Sequence, residues 1–283
     1  MLVFLNGEIV PADRAVVSVF DRGFLYGDGL FETLRVMNGV PLDWGGHWRR
    51  LANGAETLKL KLPFTSEFLR AQARELSRQN QLPDALLRLT LSRGAGPRGY
   101  SPRDADKPTL VMSLHPAPEL GSRAPQWKLH TASLRVPAGD ALSTCKSANK
   151  LLHVLARAEA EAAGADDALL LNARDEVAET TCANLFWIED GALHTPRLGS
   201  GALPGIVRAW VTDWAADCKC PCLETRATAE RLTKANGCFL TLSSLGIVEV
   251  VELDGQAIPT TVLTHCIRDR LLNAWQREAK QLE

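Results

Sequence analysis

Apolar and polar positions alternate from Leu2 to Leu5, Asn6-Gly7 is a hairpin turn signal, and Ile9 and Val10 return, so the chain is predicted to open as a β-hairpin. A second strand, Leu30 to Val36, meets another Asn-Gly turn at Asn38-Gly39. Ahead of it, Asp21 to Gly29 carries Gly23, Gly27 and Gly29, a density that demands special backbone and suits either a plain turn or the floor of a ligand site. Trp48, Leu51, Ala55, Leu58 and Leu60 recur at near-helical spacing, and a further helix is predicted from Ser66, as N-cap, to about Gln79. Strands Ala85 to Leu91 and Thr109 to Leu114 enclose a glycine-rich, arginine-bearing loop, Ser92 to Ser101.

The stretch 116–125 holds Pro116, Pro118, Gly121 and Pro125 without periodicity and reads as an interdomain linker between a domain of residues 1–115 and one of 126–283. Beyond it, Lys128 to Leu134 is a strand. Leu151 to Ala163 is a helix whose apolar face would hold Leu151, Leu152, Leu155, Ala158 and Ala162, ending at Gly164. Short strands are predicted at Ala168 to Leu171, Glu179 to Ile188, Ala192 to His194 and Cys238 to Leu242, with helices over about 208–217 and 228–235. A hairpin at Asp254-Gly255 and a helix after Pro259 follow.

Composition narrows the function. At 283 residues with 46% apolar and 23% charged positions, the chain reads as an ordinary globular protein of two domains. A net charge of −1 gives no general attraction to nucleic acid or anionic membrane. Neither a signal peptide nor a membrane-length apolar run is evident, so a cytoplasmic location is expected. Seven cysteines without secretory context favour reduced thiols. Cys218-Lys219-Cys220-Pro221-Cys222 departs from zinc-knuckle spacing, and no metal is expected there.

Three groups of residues suggest chemistry. Lys146 lies among small neutral residues just before the Leu151 helix, where a lysine nucleophile toward a carbonyl would be placed, and Lys150 competes for that role. Glu179, by strand alternation, shares a face with Val177 and Thr181, an unusual setting for a carboxylate and one that a protonated pyridine nitrogen would balance. Gly205-Ile206-Val207 ahead of a helix, Ser243 and Ser244 after a strand, and Arg50 together could serve a phosphate. Taken singly, each has a plainer reading: a solvated loop lysine, an edge-strand glutamate, and turn-forming serines.

Their order along the chain resembles a known family. Asp21-Arg22-Gly23, Gly27-Asp28-Gly29-Leu30-Phe31-Glu32, His47-x-x-Arg50-Leu51, Lys146-x-x-Asn149, Gly164 to Leu169, Glu179 with Asn184-Leu185-Phe186, and Leu203 to Arg208 are similar to the fold type IV pyridoxal phosphate enzymes. These include D-amino-acid transaminases, branched-chain transaminases and 4-amino-4-deoxychorismate lyases. The resemblance implies a two-domain α/β (α+β) architecture, with a small N-terminal domain, a larger β-barrel-like C-terminal domain, and pyridoxal 5'-phosphate bound between them. It assigns Lys146, and not Lys150, to the cofactor aldehyde and Glu179 to the ring nitrogen, with Asn184 nearby. Arg50, Ile206, Val207, Ser243 and Ser244 would form the phosphate cup. A homodimer is implied, because sites of this family borrow a loop from the neighbouring subunit.

The same resemblance places Phe31, Arg98 and Tyr100 at the substrate. The Arg98-Gly99-Tyr100 loop and the Ser243-Ser244-Leu245 turn are similar to those of the lyases, so release of pyruvate and 4-aminobenzoate is the first expectation. Transfer of an amino group from D-amino or branched-chain amino acids to 2-oxoglutarate is the alternative.

Overall fold

A computed structural model describes residues 1–280, which form two compact units. The first comprises Met1–Pro118, Cys145–Lys150 and the chain from Ala274 on; the second comprises Glu119–Thr144 and Leu151–Asn273.

In the first unit, β1 (Leu2–Leu5) and β2 (Glu8–Pro11) form the opening hairpin, followed by α1 (Arg22–Tyr26), β3 (Gly29–Met37) and β4 (Val40–Pro41). Then come α2 (Trp44–Leu58), α3 (Ser66–Asn80), β5 (Ala85–Ser92) and β6 (Thr109–Pro116). The six strands make an antiparallel sheet in the order β2-β1-β6-β5-β3-β4. Asn6 (φ 50°) and Gly7 (φ 111°) both adopt the positive φ that a two-residue hairpin needs. Leu34 and Val36 of β3 and Leu87, Leu89 and Leu91 of β5 share one core with Leu51 and Ala55 of α2 and Leu69, Ala73 and Leu76 of α3. The N-cap of α3 is Thr65 rather than Ser66; its hydroxyl accepts from Phe68 N at 3.3 Å.

The second unit contains β7 (Gln126–Val136), α4 (Leu151–Ala162), β8 (Asp167–Asn172), β9 (Val177–Thr180), β10 (Asn184–Glu189) and β11 (Ala192–Pro196). It continues with α5 (Ile206–Asp217), β12 (Cys222–Thr225), α6 (Ala229–Thr233), β13 (Gly237–Leu242), β14 (Gly246–Leu253), β15 (Gln256–Ala257) and α7 (Val262–Lys280), whose end from Ala274 on belongs to the first unit. Its sheet runs β12-β11-β10-β13-β14-β7-β8-β9, with β15 paired to β14. Two sheets with helices packed on them define a mixed α+β protein.

Two expectations change here. The buried residues of α4 are Ala156 and Ala160, packed with Ala168, Leu170 and Ala178, while Leu151 and Leu155 are exposed. Small side chains allow α4 to lie close over β7 and β8, so the larger apolar residues face outward. The alternation at Glu179 is also broken. Leu171 pairs with Val177 and Leu170 with Glu179, leaving Ala178 as an extra residue, a β-bulge. Val177 therefore joins the cluster containing Leu169 and Leu171, and Glu179 turns to the face of Leu170, on the α4 side.

Among the described residues no helix is long and apolar enough to cross a membrane. No group of three or more His, Cys, Asp or Glu among them is placed to hold a metal ion.

Candidate active site

The residues singled out by sequence fall into two sets, one in each unit. In the first unit, Cys145–Lys150 runs beside the start of β3: Phe31 N donates to Lys146 O at 2.9 Å, Ala148 N donates to Gly29 O at 2.9 Å, and Leu30 bridges to Ser147. This pairing fixes the backbone of Lys146. Its Nζ lies 4.8 Å from the centroid of the Phe31 ring. The same ring carries the guanidinium of Arg88, with Cζ 3.9 Å from the centroid.

Arg50 comes from α2, three residues after His47, so both project from one side of that helix toward β3. There they meet the buried Glu32. Arg50 Nε donates to Oε1 at 2.8 Å and Nη2 to Oε2 at 2.6 Å, while His47 Nδ1 lies 2.6 Å from Oε2. Burial alone would raise the Glu32 carboxyl, but the hydrogen bonds from Arg50 and His47 hold it down at about 2. Burial lowers His47 more than Glu32 raises it, which favours a neutral ring whose Nδ1–H donates to the carboxylate. Arg50 is thus held in place by the Glu32 carboxylate.

The loop bearing Arg98 and Tyr100 is clamped by a residue to which the sequence reading gave no role. Arg22, buried on α1, donates from Nη1 to Gly99 O at 2.8 Å, from Nη2 to Tyr100 O at 3.1 Å, and from Nε to Asp28 at 2.9 Å. Arg93 holds the other side of Asp28, and Tyr26 accepts from Gly99 N through its hydroxyl. Hydrogen bonds from these two arginines lower the Asp28 carboxyl despite its partial burial. The Arg98 and Tyr100 side chains are themselves exposed, with the Tyr100 ring 5.6 Å from that of Tyr26.

In the second unit, the bulge aims Glu179 toward α4. Glu179 Oε2 accepts from Leu203 N at 2.9 Å and from Asn184 Nδ2 at 3.4 Å, and His153 Nε2 lies 3.9 Å from Oε1. Asn184 Nδ2 also donates to Leu203 O at 2.8 Å, which ties β10 to the segment leading into α5. At Gly205, the N-cap of α5, a Cβ would lie 1.8 Å from Asn184 Oδ1, so only glycine permits this approach. Ile206 and Val207 then begin the helix, where the first N–H groups have no intrahelical acceptor. Ser243 and Ser244 occupy the turn between β13 and β14.

These residues fit pyridoxal 5'-phosphate. Helix-start amides and two hydroxyls in the second unit suit phosphate, and the Glu179 carboxylate suits a ring N–H. Thr241 Oγ1, on β13 opposite Asn184, is buried without a hydrogen-bond partner, the kind of atom that a bound group satisfies.

Residues 29–253 match the family model for amino-transferase class IV. The chain belongs to this family, whose members are pyridoxal 5'-phosphate-dependent enzymes. It is 36% identical over 258 residues to a putative branched-chain-amino-acid aminotransferase of Methanocaldococcus jannaschii, covering 91% of this chain and 90% of that protein. It is 30% identical to a D-alanine aminotransferase of Staphylococcus epidermidis, covering 90% of each. Among solved structures, 4-amino-4-deoxychorismate lyase from Pseudomonas aeruginosa is similar with a TM-score of 0.83 at 32% identity, covering 96% of this chain and 98% of that one. The fold type IV architecture implied by the sequence motifs is thereby shown.

Proposed function

We propose that the enzyme is an aminotransferase that exchanges an amino group between a D-amino or branched-chain amino acid and 2-oxoglutarate. The two curated relatives described above, both named as aminotransferases, support this reading over the lyase first expected from sequence. The structural observation that carries the common chemistry is Glu179, a carboxylate held by a backbone amide and Asn184.

When bound, pyridoxal phosphate supplies an aldehyde for the substrate amine and a ring that withdraws electrons from the adjacent carbon. With the cofactor bound, Lys146 Nζ would hold its aldehyde and would serve as the general base toward the substrate's Cα proton. Glu179 would pair with the ring N–H. Arg50, the amides of Ile206 and Val207, and the hydroxyls of Ser243 and Ser244 would anchor the phosphate. Arg98 receives a substrate carboxylate, beside Phe31 and Tyr100. The exposed apolar residues Val16, Val19, Phe20 and Phe24 supply a face for a second copy of the chain.

A specific feature keeps the lyase as the second reading: the Arg98-Gly99-Tyr100 loop, held by Arg22. Incubating the holoenzyme with D-alanine or leucine and 2-oxoglutarate should yield glutamate and the matching keto acid in equal amounts. Pyruvate and 4-aminobenzoate from 4-amino-4-deoxychorismate, without keto-acid transfer, would establish the lyase instead. Lys146→Ala should abolish the protein-bound cofactor absorbance in either case.

A further inference from the structure

Glu249 lies on β14 in the second unit and, by strand alternation, shares a face with Ile247, while Val248 and Val250 join the core on the other face. Only 2% of its surface is exposed, although its neighbour on that face is a fully buried isoleucine. The two carboxylate oxygens differ. Oε2 accepts from Gln126 Nε2 at 3.4 Å, whereas Oε1 is buried with no hydrogen-bond partner. A buried carboxylate calls for a partner that brings both N–H donors and positive charge.

Two side chains of α7 stand near enough in the fold to be considered for that part. His265 Nε2 is 3.7 Å from Oε1, too far for a hydrogen bond, and it is charged only when protonated. Arg268, three residues further along the same helix face, gives its Nη2 to Gly121 O instead. Among the described residues no lysine or arginine pairs with Glu249.

Glu249 forms part of the wall of a cavity of about 470 Å³, together with Arg123, Ala124, Gln126, Thr260 and His265, all in the second unit. That volume is enough for a small organic molecule. Arg123, Gln126 and Thr260 are exposed while Glu249 and Ala124 are buried, so the carboxylate lies at depth and the guanidinium at the rim. Among the described residues no hydrogen bond or ion pair engages Arg123. A bare metal cation would need several ligands around it, and no group of three or more His, Cys, Asp or Glu among the described residues is so placed. The complement of this cavity is an ammonium at one end of a molecule and an anionic group at the other.

We propose that the cavity is a binding site for a small zwitterionic amino acid, whose ammonium donates to Glu249 Oε1 and whose carboxylate meets Arg123. The site shares no residue with the candidate active site and does not depend on which reaction is catalysed there.

The test is calorimetric titration of the holoenzyme after borohydride reduction, which fixes the cofactor to Lys146 and closes it to added amines. Glycine, 4-aminobutyrate and 6-aminohexanoate cover a range of ammonium–carboxylate separations. The tightest of them is then compared with its N-trimethyl analogue, which has no N–H, and with the alkylamine that lacks its carboxylate. Losing a charged hydrogen-bonded contact corresponds to about 10- to 100-fold in affinity. Glu249→Gln should weaken the amino acid by that factor, and the N-trimethyl analogue should be weaker on the wild type by a similar factor. Arg123→Ala, at an exposed position that folding does not need, should weaken the amino acid and leave the alkylamine unchanged. Retention of the reduced cofactor's absorbance checks folding of both variants. No binding of any of the three amino acids, equal affinity for the N-trimethyl analogue, or affinity unchanged in either variant would overturn the proposal. Binding of the amino acid in the substrate pocket alone is one such outcome, because it would survive Glu249→Gln.

Discussion

Arg50 and Glu32 are joined by two parallel hydrogen bonds, Nε to Oε1 at 2.8 Å and Nη2 to Oε2 at 2.6 Å, which link helix α2 to strand β3. The pair is nearly dry, and His47 closes its third side. Removing one member of a buried ion pair leaves the other charge uncompensated.

Glu32→Gln should therefore destabilise the protein by about 3 kcal/mol. It should also weaken pyridoxal phosphate, because Arg50 loses the contact that orients it. Urea unfolding of the apoenzyme measures the first effect and cofactor titration the second. Unchanged values of both would show that Arg50 is positioned by other contacts.

The same cluster predicts acid sensitivity. Glu32 is lowered in the folded state from its ordinary 4.5 to about 2, so its contribution is fully present above pH 4.5 and is lost as pH falls toward 2. His47 is lowered below its ordinary 6.5, so below that pH the unfolded chain binds its proton more readily, and stability again falls with pH. Both act in one direction. The melting temperature should decline from pH 6.5 downward and more steeply below 4.5, and Glu32→Gln should flatten the lower part. An identical slope in the variant would refute the assignment.

Gly205→Ala places a methyl group on Asn184 Oδ1. Overpacking of this kind costs about 1–3 kcal/mol. Displacement of Asn184 also disturbs the Leu203 segment that donates to Glu179, so cofactor affinity should fall along with stability. Asn184→Ala combined with Gly205→Ala should be less damaging than the sum of the two, which thermal melts of the four proteins can read.

Arg22→Ala should free the loop that carries Arg98 and Tyr100, since two carbonyls of that loop lose their donor. Faster hydrogen exchange of the amides over residues 97–101 and quicker tryptic cleavage after Arg98 are expected. The Glu32 cluster should be untouched, because it lies on a different pair of elements.

Sequence signals carried the local features well. Asn6-Gly7 and Asp254-Gly255 announce hairpins because both residues of each pair must take positive φ, and Asn6, Gly7, Asp254 and Gly255 all do. Strand β3 was legible from the Asn38-Gly39 turn that follows it, where both residues again take positive φ. What remained hidden depends on partners distant in sequence. The bulge at Ala178 arises from the register of β9 against β8, and no local pattern reports it. The outward turn of Leu151 and Leu155 follows from how closely α4 approaches its sheet. Arg88 reads as one polar position on an alternating strand, and only the ring of Phe31, supplied by another strand, distinguishes it.

The seating of Lys146 against Gly29 and Phe31 bears on how this protein is made. The first unit has its sheet complete by Pro116, yet the strip that carries its lysine arrives later in the chain, and Glu278, near the end, accepts a hydrogen bond from Asp43 N. On a ribosome the first unit would thus wait, unfinished, while most of the second is synthesised. A chain cut after Pro118 would hold the Gly29 and Phe31 platform without Lys146, so expressing the two units separately would part the lysine from its own bed.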